Sequence, residues 1–134
     1  MIDSILPSSS LLSLSTYFLF HPPRSIHVCS VSSPSLTAIR TFTGHTDEVN
    51  GVCWSPGGIF LASCSDDSTA KIWTLDTSDP NSSDGLIHDL RGHSKEIYTV
   101  RWTPTGPCSV NPDKPLLLCT ASFDGTVKVR LRSI

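Results

Sequence analysis

The stretch Leu61 to Trp73, LASCSDDSTAKIW, decides how this chain folds. Leu61 to Ser65 is a short run of small and apolar residues, Asp66-Asp67-Ser68 has the composition of a tight turn, and Thr69 to Trp73 is a second β-prone run. Upstream lies Gly44-His45, then Val49, Val52 and Trp54, then the turn Ser55-Pro56-Gly57-Gly58. Downstream, Leu86 to Arg91 offers a fourth strand. The unit therefore predicts four short strands joined by Pro/Gly and Asp/Ser turns.

The same order occurs again. Gly44-His45 recurs as Gly92-His93, 48 residues on. Ile97, Val100 and Trp102 follow, then the turn Thr103-Pro104-Thr105-Gly106 and the apolar run Leu116 to Ser122. Phe123-Asp124-Gly125 makes the next turn, and Thr126 to Arg130 the next strand. Half a unit precedes both: Ile26 to Cys29 reads as a third strand and Ile39 to Phe42 as a fourth. If Cys29 stands where Trp73 stands, the turn aspartate falls on Pro23, so the pattern begins near Ser25. A repeat of this length is one supersecondary unit that buries its faces only against neighbouring copies.

Composition narrows the function. The 134 residues carry a net charge of −2 with 16% charged and 38% hydrophobic residues, and Lys and Arg do not cluster. That argues against direct nucleic-acid binding, which calls for a basic stripe. Cys29, Cys53, Cys64, Cys108 and Cys119 include no CxxC pair, which disfavours both a disulfide framework and a zinc site and fits a reducing compartment. Leu11 to Phe20 is apolar, but Asp3 precedes it and His21-Pro22-Pro23-Arg24 follows. That is a poor secretion signal and too short to span a bilayer, so residues 1–24 are expected to be an unstructured leader, with no membrane role.

Gly-His, then SPGG, then LASCSDDSTAKIW resembles a complete WD40 repeat, and the second unit resembles one altered at its end. The resemblance implies an all-β fold: an incomplete WD40 β-propeller of about two and a half four-stranded antiparallel blades. Residues 25–43 would be a partial blade of third and fourth strands, 44–91 a complete repeat and 92–134 an incomplete one. The chain starts off-pattern and ends LRSI just past the missing Trp, which fits a truncated propeller. The family's structural hydrogen-bond network would fall on His45, Ser63, Asp67 and Trp73, and again on His93, Thr120 and Asp124, with Arg130 in the second Trp position. A turn aspartate that loses water needs donors, and His, a hydroxyl and an indole N–H supply them.

Particular stretches resemble the transducin-β-like (F-box-like/WD-repeat) co-repressor subunits. They are Ile26 to Cys29, GHTDEVN (Gly44 to Asn50), LASCSDDSTAKIW, HDLRGHSKEIYTVRWTPTGP (His88 to Pro107) and ASFDGTVKV (Ala121 to Val129). Cys29 in a Trp position and the insertion Pro107 to Pro115 are also features of that family. The resemblance implies a nuclear, non-catalytic scaffold in histone-deacetylase co-repressor complexes, with co-repressor and histone proteins as partners. It implies no cofactor, metal or small-molecule substrate. Members carry an N-terminal dimerisation and F-box-like region that this sequence does not contain. A ubiquitin-ligase substrate receptor is the alternative, a non-functional truncated propeller another, and a cytoplasmic location the alternative to the nucleus.

His45, Ser63 and Asp67 have the residue types of a hydrolase triad, but no GxSxG elbow accompanies them and the structural network is the better reading. His88 and His93 lack further ligands for a metal site. Candidate partner contacts are Asp47, Glu48, Lys95 and Glu96 beside the Gly-His loops, with Asp66 and Phe123 in the turns.

Overall fold

The computed structural model describes residues 2–3, 16–19, 24–32, 35–76 and 84–131. All regular structure among them is β. Strands β1 (Ile2–Asp3), β2 (Thr16–Leu19), β3 (Ser25–Ser32) and β4 (Ser35–Thr43) form one antiparallel sheet in that order. A second sheet contains β5 (Val49–Trp54), β6 (Phe60–Ser65), β7 (Ala70–Thr74) and β8 (Leu86–Leu90). The third contains β9 (Ile97–Trp102), β10 (Leu117–Ser122) and β11 (Val127–Leu131). Every strand pairs with its sequence neighbour, so each sheet is a meander and its turns alternate between two ends. The β6–β7 and β10–β11 turns share one end with the loops entering β5 and β9. The β5–β6, β7–β8 and β9–β10 connections lie at the other.

The second sheet lies between the other two. On one face Leu61 and Trp73 meet Ile26, Val28 and Phe42 of the first sheet, with the Phe42 and Trp73 rings stacked at 5.1 Å. On the other, Ala62, Cys64, Ala70 and Ile72 meet Ile97, Val100 and Leu118 of the third. Burial on both sides is why β6 and β7 read as nearly continuous small and apolar runs rather than as an alternation. Each large side chain buried here contributes about 1.5–3 kcal/mol. The same burial pushes the Cys64 thiol up to about 12, so it packs as an inert apolar group. By contrast, β10 alternates, because among the described residues only one face of the third sheet is covered. Val127 (67% exposed) and Val129 (56%) lie on its uncovered side.

Bulges explain an irregularity of the sequence. Val49 and Val52, like Ile97 and Val100, are spaced by three, yet each pair faces one way. The register slips between Val49 and Gly51, and again opposite Ala121 and Ser122, so Asn50 and Tyr98 are the extra residues. A second pair of bulges fixes an equivalence: β7 slips against β8 between Ile72 and Trp73, and β3 against β4 between Val28 and Cys29. Cys29 thus holds the place in its sheet that Trp73 holds in the next.

The leader meets one exception to the unstructured state expected of it. Thr16–Leu19 pairs with β3, and Ile2–Asp3 pairs with Thr16–Leu19, giving the first sheet two strands that the repeat pattern does not announce. The physical reason is local: TYFL is rich in strand-forming side chains, and it lies beside the free edge of β3. The remainder of residues 1–24 lies outside the described residues.

Candidate functional site

The loop into β5 and the β6–β7 turn meet at one end of the second sheet. Asp67 enters that turn with its own amide bonded to the Ser65 hydroxyl, and Ser68 takes a positive φ of 68° to close it. The carboxylate is then surrounded by donors. Thr69 donates to Oδ1 through its hydroxyl (2.6 Å) and its amide (2.8 Å), and the Thr46 amide donates to Oδ2 at 3.0 Å. His45 Nδ1 lies 2.8 Å from Oδ2, and His45 Nε2 lies 2.7 Å from Ser63 Oγ. The Trp73 indole N–H donates to Ser63 Oγ at 2.8 Å.

Proton direction follows from the ends of this chain of bonds. Trp only donates and an ionised Asp only accepts, so the Ser63 oxygen accepts from the indole and His45 donates from Nδ1 to Asp67. Burial opposes ionisation of Asp67, but the bonds from His45, Thr69 and Thr46 outweigh it and hold the carboxyl well below the usual carboxylate range. Gly44 is needed above the indole: its φ is 152°, and a Cβ there would sit 3.2 Å from Trp73 Cη2.

The third sheet repeats the construction. His93 Nδ1 is 2.8 Å from Asp124 Oδ2, and Nε2 is 2.9 Å from the Thr120 hydroxyl. Thr126 and the Ser94 amide complete the shell around Asp124. The Thr126 hydroxyl is the largest influence holding Asp124 below the usual range; burial opposes it, and the bonds from His93 and Ser94 add to the lowering. The Trp place differs. Arg130 faces Leu118 as Trp73 faces Leu61, but its guanidinium donates to the Arg91 carbonyl at 2.8 Å.

Ser63, His45 and Asp67 thus have the distances of a catalytic triad without its chemistry. Ser63 is fully buried beneath Trp73 and its oxygen already accepts the indole N–H, so no substrate carbonyl reaches it. Among the described residues, no three His, Cys, Asp or Glu side chains converge as a metal site requires. No helix of the described residues is long and apolar enough to cross a membrane.

Of the candidate partner contacts, Asp47, Glu48, Lys95 and Glu96 are exposed around the two histidine loops. Asp66 is half-buried and accepts a hydrogen bond from Asn50, whose amide also donates to the Ile97 carbonyl of the third sheet at 3.0 Å. Phe123, 65% exposed, lies against Tyr98, 49% exposed, with ring centroids 5.0 Å apart. Tyr98 and Phe123 are the third sheet's counterparts of Asn50 and Asp66, bulge residue and turn residue in each case. Sequence reading missed Ser65, Thr69, Ser122, Thr126, Asn50 and Tyr98. The first four were detectable, because they keep the same spacing to Asp67 and Asp124 in both units.

Comparison with known proteins agrees with this geometry. The model of the WD domain, G-beta repeat, matches residues 36–74 and 84–130. The WD40 repeat-containing protein HOS15 of Arabidopsis thaliana is 54% identical over 104 residues, which is 78% of this chain and 16% of that protein. The probable cytosolic iron-sulfur protein assembly protein Ciao1 of Culex quinquefasciatus is 33% identical across 70% of the chain and 25% of its own length. The transcriptional corepressor LEUNIG_HOMOLOG of Arabidopsis thaliana is 35% identical across 52% of the chain and 8% of its own length. The chain therefore spans a quarter or less of each of these curated relatives.

Proposed function

The chain belongs to the WD40 family, whose repeats build scaffolds for protein interactions, and from that membership we propose that it serves a nuclear histone-deacetylase co-repressor complex as a non-catalytic binding surface. Co-repressor and histone proteins are its partners in this reading. The observation that carries it is the use of the chemically capable side chains. His45, Ser63, Asp67, His93, Thr120 and Asp124 are all consumed in holding loops in place. What those loops present to solvent is a rim of charged residues and an aromatic pair, Tyr98 and Phe123, the composition of a protein-contact surface.

The choice of complex is supported by the stretches resembling the transducin-β-like co-repressor subunits and by a relative named a transcriptional corepressor. A relative named for cytosolic iron-sulfur protein assembly pulls toward the cytosol instead. Affinity capture of the tagged chain from separated nuclear and cytosolic extracts decides between them. Enrichment of a histone deacetylase with its co-repressor from the nuclear fraction is the expected result. Capture of iron-sulfur assembly proteins from the cytosol, with no deacetylase in either fraction, overturns the reading.

A further inference from the structure

The seam between the second and third sheets is tied at the histidine-loop end by the side-chain amide of Asn50. Its Nδ2 donates to Asp66 Oδ1 in the β6–β7 turn and to the Ile97 carbonyl of β9, the latter at 3.0 Å. Asp66 belongs to the second sheet and Ile97 to the third, so one nitrogen holds both. The residue that follows is Gly51. Of Asn50, Asn81 and Asn111, only Asn50 precedes a glycine; Ser82 and Pro112 follow the other two. Asparagine before glycine is the pair most open to deamidation, because no Cβ hinders the backbone nitrogen as it closes on the side-chain carbonyl carbon.

Both residues of the pair are set by the seam. A Cβ at Gly51 would lie 3.3 Å from the Sγ of fully buried Cys64 and 4.0 Å from Val100 Cγ1. Asn50 is the extra residue of the β5 bulge, since the register passes from Val49 opposite Ser65 to Gly51 opposite Cys64. A bulge residue has no partner in the ladder, so its backbone turns at less cost than that of its neighbours. Close packing and cross-sheet bonding thus put a labile pair where its lability has a consequence.

We propose that Asn50 is a deamidation site, and that its conversion releases the third sheet from the second in one direction only. The Gly51 nitrogen bonds to Asn50 Cγ and gives up its proton, while the bond from Cγ to Nδ2 breaks. Nδ2 takes up the proton and leaves as ammonia, and a five-membered succinimide remains. Water then adds to one of the two ring carbonyls and opens the ring to aspartate or isoaspartate, with no change of oxidation state. The departing atom is the one that joins the sheets. A carboxylate oxygen takes its place, facing the Asp66 carboxylate and the Ile97 carbonyl, three acceptors with no donor among them. Two lost bonds and a like-charge pair then oppose closure, and the ammonia does not return.

Peptide mapping by mass spectrometry of the 134-residue chain, incubated in mildly alkaline buffer with and without urea, tests the site. The native chain is expected to convert at Asn50 to both aspartate and isoaspartate, the mixture that marks the ring. Its rate should be about tenfold or more below that in urea, because ring closure must first release two hydrogen bonds. Asn111 should stay intact in both samples, since the Pro112 nitrogen carries no hydrogen. Hydrogen exchange reads the release separately. Asn50→Asp should speed exchange of the β9 and β10 amides beyond the effect of Asn50→Ala, and adding Asp66→Asn should remove the excess. An intact Asn50 in the native chain once the urea sample is fully converted, or equal rates in the two, overturns the site. Exchange no faster with Asn50→Asp than with Asn50→Ala overturns the release.

Discussion

The Trp73 indole N–H donates to the Ser63 hydroxyl at 2.8 Å in the fully buried centre of the second sheet, and that bond starts the relay that ends on Asp67. Trp73→Phe keeps most of the ring and removes the donor. The Ser63 oxygen loses a partner with no water to replace it, so the change costs about 1–3 kcal/mol. Denaturant unfolding monitored by far-ultraviolet circular dichroism measures it. An unchanged midpoint would mean that the relay carries no stability.

Acid should weaken the structure through the two turn aspartates. Their carboxyls titrate below the usual range in the folded state because donors surround the ionised form. The stability they add is complete above the unfolded carboxylate pKa of roughly 4 and is lost as pH falls below it. Asp67→Asn, which cannot be ionised, should flatten that dependence. Thermal midpoints followed from neutral pH to pH 3 give the comparison, and parallel curves for the two proteins count against the assignment.

Asn50 ties two sheets together by donating to Asp66 and to the Ile97 carbonyl. Asn50→Ala removes both bonds and should cost about 1–2 kcal/mol, lost mainly from the third sheet. Hydrogen exchange resolves where: β9 and β10 amides should exchange faster while those of β6 and β7 change little. Uniform acceleration across both sheets would place the effect elsewhere.

The 134-residue chain studied by itself should self-associate. Val127 and Val129 are exposed on the uncovered side of the third sheet, and β11 is the edge strand of that sheet among the described residues. Open edges and apolar faces pair with other chains. Val127→Lys with Val129→Lys should lower light scattering at equal concentration. A monodisperse 14.5 kDa species that unfolds in one sharp step would contradict this prediction.

Strand order, turn positions and the histidine, hydroxyl and aspartate core of both networks were legible because a repeat shows everything twice, although the flanking Ser65, Thr69, Ser122 and Thr126 were passed over. His45 and His93, Ser63 and Thr120, and Asp67 and Asp124 stand out by recurring, whatever their chemistry. What recurrence does not reveal is register. The bulges at Asn50 and Tyr98 shift side chains between faces without leaving a sign in the composition. The partnership of Asn50 with Ile97 joins different repeats, so no comparison of one repeat with another finds it. Thr16–Leu19 was passed over for the opposite reason: it follows no repeat, and its pairing with β3 depends on an edge that appears only once the sheet is built.

Because turns alternate between two ends of each meander, the two repeats differ in length at one end only. The first has its long connection between β7 and β8, the second between β9 and β10, and both lie opposite the histidine loops. The chain therefore has a permissive pole and a fixed one. A reporter peptide spliced between Pro112 and Asp113 extends a loop that has already grown, and the sheets should accommodate it. The same peptide placed between Asp66 and Asp67 would separate the carboxylate from Thr46 and His45 and prise the turn from the loop it anchors. Insertion scanning of this chain should sort its connections by pole, and loop length alone should predict tolerance poorly.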